Sequence, residues 1–80
     1  MFIVYILVSK QYPDRIYVGL TENLSQRVNE HNSGKSLYSR KYGPWELATF
    51  ITFGQKKKAI ELEKYLKSGS GFAFLKKHFL

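Results

Sequence analysis

Phe2-Ile3-Val4-Tyr5-Ile6-Leu7-Val8 is an unbroken run of β-branched, aliphatic and aromatic residues, closed by Ser9 and Lys10. It falls far short of the roughly 20 apolar residues that span a bilayer. Its length and its β-branched content mark a buried strand instead. Pro13-Asp14 is a turn signal, and Ile16-Tyr17-Val18 is a second short strand ending at Gly19. The two runs lie close enough in sequence to pair as a hairpin.

The rest of the chain adds helices and one more strand. Asn23 followed three residues later by Gln26 fits a capping box, with Thr21 as the rival cap, and Glu22 suits the positive end of a helix dipole. That helix is expected to run to about Asn32, with Gly34 as its stop. Ser36 to Tyr42 has room for one or two helical turns before Gly43-Pro44. Trp45 to Phe53 reads as a third strand, and Gln55 to Lys67 carries the longest helical pattern. Ser68-Gly69-Ser70-Gly71 is expected to end it, with Ser70 capping a final helix from Phe72 to about Phe79. The order β-β-α-(α)-β-α-α predicts an α+β fold, a small three-stranded, mostly antiparallel sheet flanked by helices. A strand reached after a helix also leaves a parallel pairing open. No repeat or linker divides residues 1–80, which read as one domain.

Charge narrows the function. The 80 residues hold 13 Lys and Arg against 6 Asp and Glu, a formal +7, with no cysteine. A disulfide scaffold, a thiolate zinc site and a cysteine nucleophile are therefore excluded. A polyanion is the favoured partner, and nucleic acid is the usual one, although solubility alone also accounts for a basic surface. No basic stretch precedes the first apolar run, as a signal peptide would require, and no segment looks like a membrane-surface helix. The expectation is a soluble cytoplasmic domain with no membrane partner, nucleoid-associated if the source is bacterial.

Helical geometry places several polar residues beside the core. With Leu24 set at zero and about 100° per residue, Val28 falls at about 40°, His31 at about 340° and Arg27 at about 300°. Arg27 and His31 thus flank the apolar stripe one turn apart. A snorkelling Arg27 and a His31 bonded to a carbonyl would explain this without function. On the last long helix, with Ala59 at zero, Glu63 falls at about 40°, inside an apolar face made with Leu62 and Leu66. A carboxylate there needs a partner. Two readings stand: a salt bridge with Arg27 or a lysine, or a ligand for a hard divalent cation such as magnesium. Glu61 points roughly 160° away from Glu63, so any metal site is expected to be mononuclear. Tyr5 and Tyr17 on the first two strands read either as core phenols or as groups that position a water or act as a general base. There is no P-loop, no helical His pair for zinc, and Asp14 is the sole aspartate, which leaves no convincing Ser/His/Asp triad.

Taken together these residues resemble the GIY-YIG nuclease superfamily, in the form of its small stand-alone members. Ile3-Val4-Tyr5 stands at the first motif element and Tyr17-Val18-Gly19 at the second, with Arg27 ten residues after Tyr17. Glu30-His31-Asn32 is similar to a helix-end pattern of the stand-alone members. The segment from Tyr38 to Trp45 resembles the stretch before the family's third strand, and Ala59 through Lys67 resembles its metal-binding helix. Two positions depart from the pattern: Ile3 replaces a glycine, and Leu20 stands where repair-type members have a lysine.

The resemblance implies an endonuclease that hydrolyses phosphodiester bonds in DNA with one divalent metal, Mg2+ or Mn2+. It further implies work on structured or branched DNA, in repair or recombination-type processing, with or without a partner protein. Carried over by position, Glu63 would ligate the metal and Arg27 would stabilise charge on the phosphate. Tyr17 would lead in activating water, Tyr5 would assist or exchange roles with it, and His31 would sit near the phosphate or the water. The cations expected to meet the DNA backbone are Lys35, Arg40, Lys41, Lys64 and Lys67. The rival reading is a non-catalytic nucleic-acid-binding module of the same fold.

Overall fold

The apolar run at the start of the chain becomes the centre of the sheet. In the computed structural model, which describes residues 1–80, β1 (Phe2–Ser9) is flanked by β2 (Ile16–Thr21) and β3 (Trp45–Phe53) in the order β2-β1-β3. Both pairings are antiparallel, which closes the parallel option. The β1–β3 register slips between Ile6, opposite Thr49, and Leu7, opposite Leu47, so Ala48 forms a bulge. β1 lacks polar alternation because both of its faces are covered. Val4 and Ile6 pack with Val18, Ala59, Leu66 and Leu75 on one side. Tyr5 and Leu7 pack with Trp45, Leu24 and Val28 on the other.

Two helices cover each face. α1 (Leu24–Asn32) starts as its sequence suggests, and both rival caps are used. The Asn23 side chain accepts from the Gln26 N–H at 3.1 Å, and the Thr21 hydroxyl accepts from the Asn23 N–H at 3.1 Å. Thr21 thus does what the Gln26 side chain would do in a full capping box. The helix ends on Gly34, whose φ of 77° is open to glycine, and the Lys35 N–H reaches back to the Glu30 carbonyl at 3.3 Å. α2 (Leu37–Tyr42) is capped by Ser36, whose hydroxyl accepts from the Ser39 N–H. The Asn32 side chain clamps the start of β3, accepting from the Trp45 N–H at 2.7 Å and donating to its carbonyl at 3.2 Å.

The last two helices correct one expectation. α3 (Lys56–Lys67) is followed directly by α4 (Gly69–Phe79), and the cap is Ser68, not Ser70. Ser68 closes one helix with its N–H on the Tyr65 carbonyl at 3.0 Å and opens the next by accepting from the Gly71 N–H at 3.3 Å. Gly71 is buried where a Cβ would overlap the Tyr65 carbonyl. Gly71 therefore allows a close crossing of two helices, and both glycines lie in α4 rather than in a loop. No helix is long and apolar enough to cross a membrane.

Candidate active site

The site is built around a glycine and a phenol. Tyr5 faces Gly19 across the β1–β2 ladder, and its ring occupies the space that a Cβ on residue 19 would need. The glycine lets the side chain lie flat across β2 and reach α1. There the Tyr5 hydroxyl meets His31 Nε2 at 3.0 Å, and His31 Nδ1 meets Ser39 Oγ at 2.6 Å. Ser36 Oγ continues the chain to Ser39 Oγ at 2.9 Å. His31 therefore binds two hydroxyls, not the carbonyl that a merely structural histidine was expected to find.

Burial and charge set the protonation of this chain. His31 is only 7% exposed. Its pKa is lowered, first by desolvation and then by the Arg27 charge, so the imidazole is neutral near pH 7. The Tyr5 phenol is pushed up by burial, with the nearby Tyr17 and Glu63 adding to the shift and Arg27 opposing it. It keeps its proton and donates to Nε2, which leaves the imidazole proton on Nδ1 facing Ser39.

Tyr17 takes the more open position. Its ring lies 4.4 Å from the His31 ring and 6.2 Å from that of Tyr5. It lines a polar cavity of about 210 Å3 with Arg27, Glu30, His31, Lys35, Ser36 and Ser39. Arg27 pairs with Glu30 at 3.2 Å, and Lys35 pairs with the same carboxylate at 3.6 Å. Arg27 also acts on the Tyr5 phenol, although its defined hydrogen bond goes to Glu30. Two cations against one carboxylate leave the cavity net positive, as an anion site requires.

Four of the five expected catalytic residues, Tyr5, Tyr17, Arg27 and His31, thus come together from β1, β2 and α1. Glu63 does not line the cavity. It stands on α3 in an ion pair with Lys67 at 3.8 Å, the lysine option anticipated for it, while Arg27 turns to Glu30 instead. Its charge still reaches the Tyr5 phenol, which places it within electrostatic range of the cluster. No three His, Cys, Asp or Glu side chains converge anywhere. A single carboxylate 23% exposed fits a cation that takes few protein oxygens and fills its shell with water and phosphate, and it fits no richer donor set.

Of the expected DNA-facing cations, Lys35 lines the polar cavity and Lys67 lines an adjoining apolar one that shares Tyr17. Arg40 runs beneath Gly34, Lys41 lies over the Tyr42 ring, and Lys64 is exposed on α3 outside both cavities. The sequence reading missed Ser36, Ser39 and the ion-pairing role of Glu30. Serines are too common to single out, and only the fold brings Ser39 to His31.

Comparison with known proteins agrees with this geometry. A family model described as the GIY-YIG catalytic domain matches residues 1–77. The UPF0213 protein CPE1444 of Clostridium perfringens is 40% identical over 64 residues, covering 79% of this chain and 69% of that protein. The UPF0213 protein OB0043 of Oceanobacillus iheyensis is 32% identical over 73 residues, covering 90% and 85%. A structure-specific endonuclease subunit SLX1 homolog of Giardia intestinalis is 35% identical over 69 residues, or 79% of this chain but only 19% of that longer protein.

Proposed function

The chain belongs to the GIY-YIG catalytic-domain family, a nuclease family, and from that premise we propose that it is an endonuclease hydrolysing phosphodiester bonds in DNA with one divalent metal ion, Mg2+ or Mn2+. Its substrates are structured or branched DNA met in repair or recombination, and its place is the cytoplasm. The likeness to the Giardia structure-specific endonuclease subunit supports that substrate class, and the word subunit supports an accessory partner. The observation that carries the reading is the net-positive cavity where Tyr17, Arg27 and His31 meet.

Glu63 would hold the metal, which when bound supplies Lewis-acid stabilisation of a phosphoryl oxygen. The remaining work belongs to the chain. Arg27 is the group to meet charge that grows on the phosphate toward the transition state, where it counts more than in the ground state. Tyr17 borders the cavity and, once its own proton has passed to solvent, would take a proton from the attacking water as its phenolate. Tyr5, buried and protonated, fixes the His31 ring. Neutral His31 in turn holds the Ser39 hydroxyl through its Nδ1–H, which fixes the polar wall beside Tyr17.

The test is cleavage of nicked, flapped, branched and plain duplex DNA and single-stranded RNA, with Mg2+ or Mn2+ and with chelator. Cutting that stops in chelator, is lost in Glu63→Ala and falls on the order of a hundredfold or more in Arg27→Ala is expected. Salt-sensitive binding with no cutting by folded wild-type protein would move the chain to the non-catalytic binding module.

A further inference from the structure

Behind Tyr17 lies a second cavity, of about 330 Å3, lined by Ile16, Tyr17, Tyr38, Leu66 and Phe72, with Lys67 as its one charged wall residue. Its lining is as apolar as the first cavity's is polar, and the Tyr17 ring is the wall common to both. Tyr38 is 38% exposed, yet it is held from behind. Its ring stacks on buried Trp45 at 5.8 Å with 22° between planes, and lies 4.9 Å from Tyr42 and 6.3 Å from Tyr17. The Trp45 indole is itself pinned by its N–H on the Ser39 carbonyl at 3.0 Å. The result is a packed aromatic platform beside the net-positive cavity.

We infer that this cavity receives an unpaired nucleobase, that of the nucleotide next to the phosphate held at Arg27. The inference rests on the nuclease reading for the position of that phosphate and goes beyond it in naming what sits beside it. A nucleotide joins an anionic group to a flat apolar one through a short sugar. Paired cavities, one cationic and one aromatic, divided by a single ring, match those two halves. A base inside a duplex is stacked on both faces and has its pairing edge occupied, so it cannot enter. A base at a fork, flap or branch is already free of those contacts. Stacking on an aromatic ring takes any base, because every base has a π-face. Lys67, 53% exposed at the rim, supplies positive charge for a flanking phosphate. The cavity thereby gives a physical reason for preferring splayed DNA without reading its sequence.

The experiment measures binding in chelator, so that turnover plays no part. Three probes of equal length are used: a forked duplex whose first unpaired base is 2-aminopurine, the same fork abasic at that position, and a fully paired duplex. Quenching of 2-aminopurine on binding is expected, with about tenfold weaker binding of the abasic fork. Tyr38→Ala should erase the difference between the two forks, and Tyr38→Phe should restore it. Equal affinity for the intact and abasic forks would overturn the inference, and that comparison needs no variant at all. So would a Tyr38→Ala loss shared equally by forked and paired DNA. So would light scattering that finds the free protein dimeric and Phe72→Ser monomeric, since a second copy would then fill the cavity. Cleavage with Mg2+ is scored separately. Fork preference and quenching without cutting would leave the base site standing and end the endonuclease reading, and the converse result would end only the base site.

Discussion

Gly19 and His31 carry most of what is unusual at the scale of single residues. An added methyl at position 19 meets a ring that is fully buried and anchored at both ends, by the sheet and by His31. Gly19→Ala is therefore expected to cost about 1–3 kcal/mol, read from urea unfolding. It should also lift the Tyr5 hydroxyl from His31, so cleavage would fall by more than the lost stability explains. A variant as stable as the parent would mean that the Tyr5 ring has somewhere else to go. His31 makes stability depend on pH. Its folded pKa lies below the ordinary 6.5, so between the two values the unfolded chain binds more protons than the folded one. Stability should be flat with respect to this group above about pH 6.5 and should decline as pH drops below it toward the folded value. Urea midpoints across pH 5 to 8 check the sign, and His31→Gln should flatten the slope in that range.

Secondary-structure elements show where sequence was informative and where it fell short. The three strands and the first helix are legible because their signals are local: an apolar run, a capping Asn23, a Gly34 with positive φ. Arg27 and His31 are legible as polar residues flanking an apolar stripe, and Glu63 as one inside it, because helical spacing alone shows them out of place. The start of α4 is misread because Gly69 and Gly71 look like breakers, whereas Gly71 is required by the approach of a backbone it cannot know from its neighbours. Ser39 is illegible for a related reason, since its partner His31 lies on another helix. Ser68 joins two helices through one side chain, its hydroxyl donating to the Tyr65 carbonyl at 2.6 Å and accepting from the Gly71 N–H. Ser68→Ala should cost about 1 kcal/mol by urea unfolding, in line with loss of a cap. Its mark would be faster hydrogen exchange in the last turn of α3 as well as in the first turn of α4. Exchange confined to α4 would mean that the two ends are independent.

Across the whole molecule the formal charge is +7 on 80 residues, and Arg27, Lys35 and Lys67 are the cations that line the two cavities. DNA affinity should fall steeply with salt, with a log–log slope of roughly −0.9 per phosphate neutralised on duplex DNA. Lys35→Ala and Lys67→Ala should each make that slope shallower by about 1, whereas Lys77→Ala, on the last turn of α4, should leave it unchanged. Equal effects at all three positions would point to diffuse attraction with no defined binding face. The strand order has a further consequence, one that concerns the chain before it is folded. β1 is made before both of its neighbours, and β3 begins only at Trp45. On the ribosome, Phe2 to Val8 therefore emerges as a sticky ribbon with both hydrogen-bonding edges free. β2 can cover one edge early, but the other stays open through the synthesis of α1 and α2. The residues that give the finished domain its doubly covered centre are, during translation, its greatest aggregation hazard. Slower elongation ahead of Trp45 should lower soluble yield without changing the stability of the protein that survives.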